Sequence, residues 1–183
     1  MNNTPPNINF SKIEPLNYSK LNLLNNKIYV KRDDLIHPII SGNKWRKLKY
    51  NFIEANLRGH DNILSFGGAH SNHLHALSYA CQKMNLNSIG IIRGEKNKNS
   101  NSTLSFCENN NMSLHYISRS DYKNYKSSNQ MIPILKNIFG DYYVIPEGGC
   151  NLLGVKGCSE ILEEIDLDFD VVCCAVGTGC TAS

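Results

Sequence analysis

The chain has 183 residues, of which 41% are hydrophobic and 19% charged, and a net charge of +3. That is enough for one domain with a real core or for two small lobes sharing an interface. The mix excludes a disordered chain, the charge is too mild and too scattered for a nucleic-acid binder, and no apolar run is long enough to span a membrane.

The opening MNNTPPNINF has neither the basic start nor the apolar block of a secretory signal, so a cytoplasmic protein is expected. After about thirty residues, strand-length apolar runs alternate with segments of helical period. Taken in chain order, the expectation is a strand at 28–31, a helix at 43–58, a strand at 62–66, a helix at 72–84 and a strand at 88–92. A helix at 102–109, a strand at 113–117, a helix at 129–138, a strand at 142–145, a helix at 151–165 and a last strand at 170–176 follow. The asparagine-rich EKNKNSNS, 95–102, reads as a solvated loop. This βαβ rhythm predicts an α/β fold, a parallel sheet covered by helices on both faces, with ligands at the carboxyl ends of its strands. The last strand leads into GTGCTAS with no covering helix, so the sequence is expected to be part of a longer protein and inactive by itself. Seven cysteines, odd in number and without CxxC spacing, predict reduced and mostly buried thiols, with Cys173 and Cys174 inside the last apolar run.

Four stretches carry chemistry. In SGNKWRKLKY, Ser41 is the expected N-cap, and Trp45, Leu48, Phe52 and Ala55 recur at helical spacing as a buried stripe. Lys44 sits at the edge of that stripe, near the positive end of the helix dipole and near Arg46 and Lys47. Each of these lowers an ammonium pKa, as an amine nucleophile or base requires, although a solvated basic helix start has the same appearance. In LSFGGAHSNH, two glycines between strand and helix aim backbone N–H groups at one spot, with Ser71 and Asn72 at its rim, which suits a carboxylate. His70, His73 and His75 lack a fourth ligand or an HExxH frame, and no metal is assigned. VIPEGGCNLLGVKG is a turn in which Glu147 is expected to face water. AVGTGCT forms a nest of N–H donors suited to phosphate, and through Gly177, Gly179 and Ala182 it also meets a GxGxxA dinucleotide pattern.

Together, KRDDL, SGNKWRKLKY, GGAHSNH, IPEGG and VGTGCT resemble, in order, the pyridoxal-phosphate enzymes 1-aminocyclopropane-1-carboxylate deaminase and D-cysteine desulfhydrase, of the tryptophan-synthase-β-like fold. The resemblance covers nearly the whole chain and corresponds to the first half to two-thirds of such an enzyme. It implies a two-lobed α/β protein with pyridoxal 5'-phosphate between the lobes, the smaller lobe at 45–143 and an incomplete larger lobe at 1–44 and 144–183. It implies that Lys44 bonds the cofactor and moves the substrate proton, that Asn72 hydrogen-bonds the cofactor's 3-hydroxyl and that Ser71 holds the substrate carboxylate. Gly177, Thr178, Gly179, Cys180 and Thr181 correspond to the phosphate loop, with Lys47 as a second phosphate contact. The implied substrate is a small amino acid, the products are ammonia and a 2-oxo acid, and a homodimer is among the assemblies allowed to the full-length enzyme. Two residues depart from the pattern: Cys180, where a small residue such as glycine is usual, and Cys150, where serine is common. The competing readings are a dinucleotide-binding oxidoreductase domain and a non-catalytic binding or assembly module.

Overall fold

The computed structural model describes residues 5–17, 27–96, 101–127 and 131–183. Positions 97–100 of the asparagine-rich loop and 129–130 of the expected fourth helix lie outside them. A short antiparallel pair, β1 (Ile13–Pro15) and β2 (Tyr29–Lys31), comes first. Then follow α1 (Lys44–Leu57), β3 (Asn62–Gly67), α2 (Asn72–Lys83), β4 (Asn87–Arg93), α3 (Ser102–Asn109) and β5 (Met112–Ile117). The order closes with α4 (Arg119–Ser127), α5 (Met131–Phe139), β6 (Tyr143–Ile145) and α6 (Leu152–Glu163).

Strands β3 to β6 form one parallel sheet in the order β5-β4-β3-β6, the α/β architecture that the rhythm predicts. Strand alternation explains its two cores. Ile63, Ile92 and Ile145 pack with Leu48 and Phe52 of α1, Leu74 and Leu77 of α2, and Leu104 of α3. Leu64, Phe66, Ile89 and Ile91 point the other way, against Tyr122 of α4 and Leu135 of α5. Fully burying side chains of this size contributes about 1.5–3 kcal/mol each, which explains why the central strands β3 and β4 are nearly continuous apolar runs.

Helix α1 buries Leu48, Phe52 and Ala55, one stripe at helical spacing, with Trp45 packed at its edge. On its other flank lies α6. A Cβ on Gly157 would sit 1.8 Å from the Arg46 carbonyl oxygen, so only glycine lets the two helices approach this closely. Asn51, fully buried, joins them: its Nδ2 donates to Lys47 O at 2.7 Å, and its Oδ1 accepts from Asn151 Nδ2 at 2.8 Å and Tyr143 Oη at 3.2 Å.

Three expectations are corrected. Residues 170–176 form no strand and pair with no strand among the described residues; Val171 is 76% and Val176 67% exposed. A strand needs a neighbour's ladder, and neither edge of the sheet receives this segment. For the same reason Cys173 and Cys174 are exposed, while Cys81, Cys107, Cys158 and Cys180 are buried. The N-cap of α1 is Asn43, not Ser41, and its side chain caps nothing because it is used elsewhere.

Candidate active site

Lys44 opens α1 and is half-buried. Its Nζ donates to Asn43 Oδ1 at 2.6 Å, and Asn43 Nδ2 donates to Thr181 Oγ1 at 2.7 Å, so one asparagine ties the amine to the 177–181 loop. Burial first, and the nearby Lys47 charge second, hold the Lys44 ammonium below its ordinary range. One turn on, Lys47 is 4% exposed, and no carboxylate lies within salt-bridge distance of it among the described residues. A lysine this enclosed and without a carboxylate partner favours an anion placed against it.

The roof over Lys47 is the turn after β6. Gly149 has φ of +68°, and a Cβ there would come within 3.0 Å of Lys47 Cβ and 3.4 Å of His73 Cε1. His73, 3% exposed, places Nε2 at 2.9 Å from Ser65 Oγ. The Ser65 hydroxyl spends its single proton on Ile145 O at 2.7 Å, so Nε2 must be the protonated nitrogen and Nδ1 the bare acceptor. Nδ1 is buried without a partner. Burial, then the charges of Lys44 and Lys47, push the His73 pKa down to about 3, which keeps the ring neutral.

Ser71 is the N-cap of α2, with φ −73° and ψ 108°, and its Oγ accepts from Leu74 N at 3.2 Å. Asn72 is exposed, and its side chain makes no hydrogen bond among the described residues. Gly177 and Thr178 are exposed, Gly179 has φ of +89°, and Ala182 N donates to Gly179 O at 2.9 Å, closing a turn. Cys180 is 1% exposed, with Sγ 3.7 Å from Gly149 O. Lys44, Lys47 and the 179–181 end of the loop are thus gathered around Asn43 and Gly149, while no described hydrogen bond joins Ser71 or Asn72 to them.

Sequence reasoning missed His73 as a neighbour of the two lysines, because a histidine in a helix's first turn reads equally well as a surface residue. It also gave Glu147 to solvent. Glu147 is half-buried on the α4 side of the sheet, near enough to Tyr122 that its charge, after burial, raises the tyrosine's pKa. A further group, met in sequence only as KRDDL, surrounds Arg46. Its guanidinium donates to Asp33 Oδ2 at 2.6 Å and to Glu164 Oε1 at 2.8 Å, and Lys31 Nζ donates to Glu164 Oε2 at 2.7 Å. These bonds anchor the first turn of α1, and with it Lys44, to β2 and to the end of α6. Arg46 and then Lys31 hold the Glu164 carboxyl at about 2.

The arrangement can present a partly desolvated amine next to an anion cradle made of Lys47 and backbone N–H groups. Residues 10–183 match the family described as pyridoxal-phosphate dependent enzyme. A putative 1-aminocyclopropane-1-carboxylate deaminase of Thermotoga maritima is 36% identical over 161 residues, 84% of this chain and 51% of that protein. The bifunctional, mitochondrial D-cysteine desulfhydrase/1-aminocyclopropane-1-carboxylate deaminase of Arabidopsis thaliana is 33% identical over 172 residues, 85% of this chain and 43% of that protein. The crystal structure of an ACC deaminase homologue superposes with a TM-score of 0.76 at 28% identity, covering 97% of this chain and 55% of the other. The chain spans about half the length of the curated relatives it matches. No helix among the described residues is long and apolar enough to cross a membrane.

Proposed function

The chain belongs to the pyridoxal-phosphate dependent enzymes, and on that premise we propose that it serves a deaminase or lyase acting on a small amino acid with a β-leaving group, D-cysteine first and the cyclopropane amino acid second. The observation that carries the reading is Lys44: a half-buried amine, held below its ordinary pKa, at the start of a helix whose next turn holds a second buried lysine, Lys47, with no carboxylate partner among the described residues.

The residues present fit the cofactor. Lys47 offers uncompensated positive charge to a phosphate, and the loop Gly177, Thr178, Gly179, Cys180 and Thr181 offers backbone N–H groups beside it. A Cβ added to Gly177 or Gly179 would meet nothing within 4 Å, so there is room for a ligand against the loop. When bound, pyridoxal phosphate draws electron density away from the α-carbon of an attached amino acid, which lets the α-proton leave. Lys44 would bond the cofactor, then take and return that proton. Ser71, with the N–H groups at the start of α2, would hold the substrate carboxylate, and Asn72 would hydrogen-bond the cofactor's 3-hydroxyl. His73, neutral at every physiological pH, would add no third positive charge beside the two lysines. Loss of the β-substituent followed by hydrolysis gives ammonia and a 2-oxo acid.

In this reading residues 45–143 form the smaller lobe, and 1–44 with 144–183 contribute to a larger one, the change falling at β6. A homodimer of the full-length enzyme belongs to the same proposal. Family membership does not favour the dinucleotide-binding or the non-catalytic alternative. The test is borohydride reduction of the full-length, cofactor-loaded protein followed by peptide mapping: the label is expected on Lys44, and a label on another lysine sinks the assignment. Parallel assays for sulfide from D-cysteine and ammonia from the cyclopropane substrate decide the substrate; ammonia without sulfide puts the cyclopropane amino acid first.

A further inference from the structure

Two of the seven cysteines, Cys150 and Cys180, lie where the 177–181 loop lands on the rest of the molecule. Cys150 Sγ lies 3.6 Å from Thr178 O, and Cys180 Sγ lies 3.7 Å from Gly149 O. Each thiol therefore reaches across to the other's segment. Cys180 is also packed against α6, its Sγ 3.2 Å from where a Cβ on Gly154 would sit, and Cys158 is buried on the same helix. All three are free thiols; Cys150 is half-buried, whereas Cys158 and Cys180 are buried. Among the described residues, two weak S–H contacts and the Asn43–Thr181 hydrogen bond fasten the loop at this point.

We propose that Cys150 and Cys180 are a reversible redox pair, a modification site that takes a low-molecular-weight disulfide and closes into a bond stapling the 177–181 loop to the turn at 147–150. Each thiol already lies against the backbone two residues or fewer from the other, so a small shift of the loop brings the sulfurs to the short separation that a disulfide demands. The two sulfurs have different parts. Burial pushes the Cys180 thiol up to about 11, so it is the slower first attacker, and Cys150 is the one open to solvent. Cys150 loses its proton to water, its thiolate attacks the reagent's S–S bond, and one reagent thiol leaves. Cys180 then loses its proton and attacks the Cys150 sulfur of the mixed disulfide, releasing the second reagent thiol. Two protein thiols are oxidised and one small disulfide is reduced to two thiols, so the exchange balances. Drawing the sulfurs into bonding distance pulls Cys180 away from Gly149 O and re-aims the N–H groups of the loop.

The test uses the full-length protein carrying Cys173→Ser and Cys174→Ser, which removes the exposed thiols, treated with oxidised glutathione and read by intact mass and by mapping of double protease digests. The expected product has lost two hydrogens, retains no glutathione, contains a Cys150–Cys180 peptide pair and reverts with dithiothreitol. Cys180→Ser should trap one glutathione on Cys150. Because Cys180 is buried, Cys150→Ser is the second variant, and it should take up none. Glutathione retained on Cys150 in the parent protein, or a bond from Cys180 to Cys158, overturns the pairing. The functional consequence rests on reading 177–181 as the phosphate loop: uptake of pyridoxal phosphate, followed by absorbance, should be lost on oxidation and restored on reduction. Equal uptake by both forms overturns the switch. A reduced protein that takes up no cofactor sinks the cofactor reading instead, while the mass measurement still decides the disulfide.

Discussion

The start of α1 and the segment 165–183 both set candidate site residues among apolar ones, yet they end in opposite states. Around Lys44, the residues Lys47, Leu48, Asn51 and Phe52 are all less than 5% exposed, enclosed by α6, β6 and His73. In the second segment, Leu167, Phe169, Val171, Val172 and Val176 all face solvent, and only Cys180 is sealed. A helix makes its backbone hydrogen bonds within itself, so its apolar stripe needs only one surface to pack on. A strand makes all of its ladder hydrogen bonds with neighbouring strands, so its apolar residues are placed only when such a neighbour is present.

The sharpest way to break this comparison is chemical. In the full-length enzyme, Lys44→Ala should remove the borohydride-trappable linkage and lower turnover by at least about 10²–10⁴-fold, the usual worth of a positioned proton-transfer group; steady-state kinetics that change by less would detach chemistry from the buried region. Next in size is the ion-pair group. Arg46→Met leaves Asp33 and Glu164 without their buried partner and should cost about 3–5 kcal/mol in urea unfolding. Leu77→Ala, in the core beneath α2, should cost about 2–5 kcal/mol by the same measurement, whereas Val172→Ala in the exposed segment should stay within about 0.5 kcal/mol. A large loss at Val172 would show that the segment packs after all.

The smallest effect is a pH dependence. Glu164 is held at about 2, below the ordinary 4.5. Its stabilisation is therefore fully present above about pH 4.5 and is lost as the pH falls through about 2. The stability gap between the wild type and Glu164→Gln should be widest near pH 6 and shrink below pH 4.5; a gap that does not change over that range would mean that Arg46 and Lys31 do not depress this carboxyl.

Most of the sheet was legible in the sequence because β3 and β4 are apolar on both faces and their flanking helices keep a clean period. Strand β1 was not, since three residues carry too little pattern. Helix α4, RSDYKNYKS, was missed because Tyr122 and Tyr125 are its only apolar signal; they become core only by meeting Phe66, against which Tyr125 stacks at 3.7 Å. At the candidate site, Lys44 and the loop could be named from their motifs. The role of Asn43 as a bridge, the neutral His73 and the inward Glu147 could not, because each depends on contacts between residues distant in the chain.

The Arg46–Glu164 pair joins residues 118 positions apart. At about 5–20 residues per second on the ribosome, Arg46 waits about 6–24 s before its second carboxylate exists. Through that interval Asp33 is the one partner already synthesised, so the helix that carries Lys44 can be oriented early but is locked in place only near the end of this stretch of translation.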